Sequence, residues 1–139
     1  MSQNTPRVAY KDRTVLDKAS ICTIAAERLL PEAEKLFACW TPRNHDAAGT
    51  REAFDSFKAD IPNTIGLLRN LKQEMEILLE KRDRGEDVRR ETNLSERQLK
   101  IVFDDELPDV NKCLENLSNI WEKLTAKNDN GGQEKTSNE

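Results

Sequence analysis

His45 is the only histidine of the chain, and Asp46 follows it directly. A histidine beside a carboxylate is the smallest unit from which a general base is built, because the acid orients the imidazole and stabilises its charged form. The pair lies in a loop, with no second histidine and no nearby cysteine to complete a dyad or a metal site. Cys22, Cys39 and Cys113 form no CxxC or CxxxC pair, so the ligand spacing of a zinc site is missing. The glycines include no GxGxxG and no GxxxxGK, hence no phosphate-cradling loop. A di-metal carboxylate bundle requires Glu-x-x-His, which does not occur. The sequence therefore reads as a non-enzymatic protein with no catalytic, cofactor-binding or metal-binding residue.

Hydrophobic and charged residues are almost equal, at 36% and 35% of the 139 residues. Slender helical domains fit this balance, because each helix keeps a wide polar face in water. The net charge is −4, with acids and bases mixed along the chain. That mixture disfavours nucleic acid and anionic lipid as partners. No run is apolar enough for a leader or a membrane span. Three cysteines without framework spacing fit a reducing compartment. The expectation is an intracellular protein, cytoplasmic or nuclear.

Three stretches repeat core-type residues at alternating spacings of three and four. Leu16, Ala19, Thr23, Ala26, Leu30, Ala33, Phe37 and Trp40 form the first. Phe54, Phe57, Ile61, Thr64, Leu68, Leu71, Met75 and Leu78 form the second. Phe103, Leu107, Val110, Leu114, Leu117, Trp121 and Leu124 form the third. A mean period of 3.5 keeps one stripe of a helix on its partners. The pattern predicts an all-α fold: an antiparallel, up-down-up three-helix bundle with coiled-coil-like heptad seams. It resembles, in pattern only, spectrin-type and adaptor three-helix bundles, and such a pattern implies nothing specific about function.

The predicted helices span about 14–40, 50–82 and 95–126, within a bundle of 14–127. Thr14 caps the first helix, and Thr41-Pro42-Arg43-Asn44 ends it. Gly85 ends the second. Ser95 and Gln98 form a capping box for the third, with Leu94 and Leu99 as a hydrophobic staple. Segment 1–13 is predicted to be flexible and 128–139 to be a disordered tail. The charge-dense linker from Asp83 to Asn93 is expected to be a mobile, exposed loop, with a short helical fragment as the alternative. Its basic run, Lys81 to Arg90, reads as solvated, with contact to an acidic partner or phosphates as the alternative. Each helix carries one proline directly after a core residue: Pro31, Pro62 and Pro108. Either all three kink long helices on their outer faces, or one or more starts a new helix.

Two places stand out as candidate sites. Ile21 and Ile24 on the first helix, with Ile101 and Val102 on the third, fall off the core faces at one end. They could form an exposed apolar patch for a partner helix, or Val8 and Tyr10 could fold back over them. At the other end Phe37, Trp40, Phe54, Phe57 and Trp121 should cluster. That cluster is either a core cap or, around Trp40 and Trp121, a pocket for a small apolar ligand. The leading expectation is a protein-interaction module or small subunit of a larger complex, binding an amphipathic helix. Homo-oligomerisation and ligand carriage are the alternatives. No cofactor is expected.

Overall fold

The computed structural model describes residues 9–130, and they contain helices and turns but no strand. A 3-10 turn, Tyr10–Asp12, precedes α1, Val15–Cys39. A second one, Pro42–Asn44, leads into α2, Ala48–Asp83. The short α3, Arg89–Thr92, is followed by α4, Glu96–Ile101. A π-helical turn, Val102–Glu106, then runs directly into α5, Leu107–Asn130. Four helices pack together: α1, α2 and α5 touch pairwise, and the π turn carries α4 while touching α1 and α2. The expected disordered ends fall mostly on residues 1–8 and 131–139, which lie outside the described residues. Tyr10–Asp12 is helical where flexibility was expected, and α5 continues to Asn130.

Short-range chemistry places the helix ends. The Thr14 hydroxyl accepts from the Asp17 N–H at 3.1 Å and starts α1. At Ser95 both halves of the capping box form: Gln98 N–H donates to the Ser95 hydroxyl at 3.1 Å, and Ser95 N–H donates to the Gln98 side chain at 2.9 Å. Two N–H groups at the helix start are thereby satisfied. α2 ends in a Schellman turn. Glu86 N–H donates to the Lys81 carbonyl at 3.0 Å and Gly85 N–H to the Arg82 carbonyl at 2.9 Å. The turn needs a left-handed residue, which Gly85 supplies at φ 89°. α2 begins earlier than expected, at Ala48, and Ala47 offers no side-chain cap.

Pro31 and Pro62 lie inside α1 and α2, which run through them unbroken. Pro108 sits at the second position of α5, immediately after the π turn. In a regular helix its ring would press on the carbonyl one turn back. The wider turn relieves that crowding: Leu107 N–H reaches back to the Val102 carbonyl, five residues away. None of the three prolines starts a separate helix. The π turn also changes which side chains face inward. Val102 and Leu107 would diverge by about 140° on an α-helix, but one π turn stacks them on the same side. Both are buried.

The core runs the length of the molecule. Ala19, Ile61, Leu68, Met75, Leu99, Val110, Leu117 and Leu124 are completely buried. The hydroxyls at seam positions are satisfied locally, as Thr23 donates to the Ala19 carbonyl at 2.8 Å and Thr64 to the Asp60 carbonyl at 2.9 Å. No described buried side-chain N or O lacks a hydrogen-bond partner. The linker contains the helical fragment offered as the alternative, α3, and departs from the expectation only in being partly buried. Val88 and Thr92 are buried there, and the Thr92 hydroxyl donates to the Val88 carbonyl at 2.6 Å. Two inward residues separated by Arg89, Arg90 and Glu91 carry no periodic signal, because α3 is a single turn.

Candidate interaction surface

On α1 the buried residues Ala19, Cys22, Ala26 and Ala33 define the inward side. At 100° per residue Ile21 and Ile24 fall well away from it. They are 38% and 49% exposed. Ile101, the last residue of α4, is 37% exposed for the same reason, since Leu99, about 200° from it on the wheel, points inward. Val102 does not belong with them. It is fully buried, because the π turn that begins at Val102 rotates it onto the core side. The expected four-residue patch thus loses one member to the core.

Ile77 is the fourth large apolar side chain exposed among the described residues, at 49%. It lies between the seam residues Met75 and Leu78, about 200° from Met75 on the wheel. The same wheel that singled out Ile24 would have found it. Ile77 borders a cavity of about 470 Å³ between the start of α1 and the second half of α2, together with Thr14, Val15 and Glu74. A second cavity of about 340 Å³ runs between α1 and α5, along Ala26, Leu30, Cys113 and Leu117.

Tyr10 does fold back on α1, but not over Ile24. Its hydroxyl lies 3.0 Å from the Cys22 sulfur, and the Lys18 ammonium sits 5.6 Å from its ring centre. Partial burial, then the hydrogen bond to Cys22, push the Tyr10 phenol pKa upward, so it remains protonated. Burial also raises the Cys22 thiol, which outweighs the hydrogen bond from Tyr10 and the charge of Lys18. Lys18 reaches across to Glu74 at 3.2 Å and ties α1 to α2. Val8, the other residue expected over the patch, lies outside the described residues.

The opposite end is closed. Phe54 stacks on Trp121 with centroids 5.4 Å apart, and Trp40 meets Phe54 edge-on at 5.4 Å. Trp40 is 2% exposed, its N–H donates to His45 Nδ1 at 3.1 Å, and its ring stacks on the imidazole. The His45–Asp46 pair thus serves packing: Nδ1 is occupied, and Nε2 lies 4.0 Å from an almost fully exposed Asp46. Arg51 lies over both Trp40 and Phe54 and donates to the Asn128 side chain at 2.6 Å. Phe37 leaves the expected cluster. It is covered instead by Lys127, whose ammonium is 4.1 Å from the ring centre and donates to the Phe37 carbonyl at 2.8 Å. The tryptophans therefore fill this end with ring contacts.

The charges in and beside the linker pair with one another. Arg84 bridges Glu80 and Glu86, Arg89 holds Asp87, Arg82 reaches Glu96 and Lys81 reaches Glu91. The paired guanidinium of Arg89 holds the Asp87 carboxyl down at about 2. Among the described residues no group of three or more His, Cys, Asp or Glu is placed to hold a metal ion, and no helix is long and apolar enough to cross a membrane. Comparison with protein-family models, with curated proteins and with solved structures gave no match.

Proposed function

We propose that this chain is a non-enzymatic interaction module, or a small subunit of a larger complex, that binds an amphipathic helix of a partner protein. The docking side is the half of the molecule that carries the exposed isoleucines. The reading treats α1, α2 and the α4–α5 stretch as an up-down-up three-helix bundle. Three pairings support it. Lys18 near the start of α1 meets Glu74 late in α2, Phe37 near the end of α1 meets Lys127 near the end of α5, and Arg51 early in α2 meets Asn128.

The observation that carries the proposal is the exposure of Ile21, Ile24 and Ile101 on a surface otherwise dominated by charge. Ile21 and Ile24 are three residues apart, so they stand one above the other on the helix. Paired apolar anchors of that kind suit a helix laid along a groove. Val102 supports them from below by fixing the position of α4. Trp40 and Trp121 are assigned to the core cap. A free, exposed Cys39 suits a reducing compartment, cytoplasm or nucleus.

The same isoleucines favour a second reading, a symmetric homodimer. Light scattering of the full chain over a hundredfold concentration range, repeated with Ile24→Asp, separates the two. A concentration-independent monomer supports the partner reading. A mass that doubles with concentration, and reverts in Ile24→Asp, replaces it with the dimer.

A further inference from the structure

We propose that the groove between α1 and α5 receives a basic amphipathic segment of a partner protein, its apolar residues on the groove floor and its lysines and arginines on the rim. This rests on the docking reading above and adds the chemistry of the partner.

The floor is apolar: Ala26 and Leu30 from α1, Cys113 and Leu117 from α5, around a cavity of about 340 Å³. An apolar trough between two helices is the shape into which an amphipathic helix lays one face. The rim is acidic on both sides. Glu27 stands on α1 and Asp109 on α5. Asp105 and Glu106 continue the acids along the π turn. Six acids elsewhere, Glu74, Glu80, Glu86, Asp87, Glu91 and Glu96, have a lysine or arginine within 4.0 Å, whereas others, such as Glu32, Asp55 and Glu122, face water singly with none. Among the described residues Glu27, Asp105, Glu106 and Asp109 have none. Lys112 also lines the groove and pairs with none of them.

The carboxylates act on one another and on the groove. Partial burial, then Asp109, Asp105 and Glu27, hold the Glu106 carboxyl above its ordinary range. Burial, Glu27 and Asp109 likewise push up the Cys113 thiol, against the opposing pull of Lys112. A cation entering the groove relieves this repulsion. Pro31 adds to the effect. It has no N–H, so the carbonyl of Glu27 lacks its helical donor and is left as one more acceptor on the rim. The acids do not converge as ligands for one small ion. Their spread along two helices suits cations spaced along a peptide. Ile24 stands one turn before Glu27 and extends the apolar surface toward the isoleucine end.

The test uses the full chain and two labelled helical peptides of equal length. Both carry leucines on one face, with lysines on the other face in one peptide and glutamates in the second. Fluorescence anisotropy measures binding. Alkylation by iodoacetamide locates it, since Cys113 lines the groove while exposed Cys39 serves as an internal reference. The lysine peptide is expected to bind at least tenfold more tightly than the glutamate peptide and to slow alkylation of Cys113 but not of Cys39. The double variant Glu27→Lys, Asp109→Lys, both exposed positions, should reverse the preference between the peptides.

Equal binding of both peptides that Ile24→Asp abolishes would overturn the basic-partner inference while leaving the docking reading in place. Lysine-peptide binding that ignores the double variant, or leaves Cys113 as reactive as before, places the peptide elsewhere and overturns the groove. Binding of neither peptide also overturns it. The docking reading is then decided separately by the mass measurement.

Discussion

The two ends of this molecule handle apolar side chains in opposite ways. At the aromatic end Trp40, Phe54 and Trp121 pack ring on ring, and polar neighbours occupy their edges: His45 accepts the Trp40 N–H, and Arg51 lies over two of the rings. At the other end Ile21, Ile24, Ile77 and Ile101 remain exposed on their helices. Aromatic burial and a satisfied polar edge are the marks of an end built for stability. Aliphatic exposure brings no folding stability, because an exposed side chain buries little new area. The contrast teaches where cost and freedom to change lie: substitutions should be expensive at the aromatic end and inexpensive at the exposed isoleucines.

The sharpest way to break that contrast is at Val102, a core residue within the isoleucine half. Val102→Asp places an unpaired carboxylate in a fully buried position. A loss of at least about 4 kcal/mol is expected. Urea denaturation followed by circular dichroism measures it, and a loss below about 1 kcal/mol would mean that α4 swings outward easily. Trp40→Ala comes next. It removes a 2% exposed ring with its stacking and its hydrogen bond, for about 3–5 kcal/mol by the same measurement.

Glu106→Gln should act in the opposite direction and by less than either loss. The Glu106 carboxyl is raised from 4.5 in the folded chain by burial and its acidic neighbours. Between 4.5 and the raised value the folded state therefore holds more protons than the unfolded state. This group makes stability fall as pH rises through that window. Glutamine removes the charge, so the variant should be the more stable at neutral pH. The gain should vanish as pH drops below the window, which urea midpoints at several pH values would show. Absence of any gain at neutral pH would mean that a cation already compensates the rim. The smallest effect is expected for Ile24→Asp, within about 0.5 kcal/mol of the parent. Beside Val102→Asp it sharpens the comparison, because two aliphatic residues of one end should then differ manyfold in what a carboxylate costs.

Much of this was legible in the residues. The helical class needed only spacing, and Ile61, Leu68, Leu71 and Met75 of the second stretch are buried as that spacing requires. Ser95 with Gln98, Thr14 and Gly85 announced helix ends through groups that bond within three to five residues of themselves. The failures share a cause. Val102 was assigned to the surface by an α-helical wheel, and the wheel is wrong across the π turn. Val88 and Thr92 looked like loop residues because one helical turn is too short to show a period. Phe37 was placed with the tryptophans, whereas Lys127, ninety positions away, covers it. Of the candidate groove, Glu27 and Asp109 were visible only as two acids among many.

By itself the sequence determined the helical class, the inward stripes of α1 and α2, and the caps and stops, because these follow from backbone hydrogen bonding and a fixed angular step per residue. Tertiary structure decided the rest. It chose which off-stripe isoleucines stay in water, turned Val102 inward through the π turn before Pro108, seated Tyr10 on Cys22 and set unpaired acids on both sides of one groove. Those outcomes depend on distances between helices far apart in the chain, and no local spacing encodes such distances.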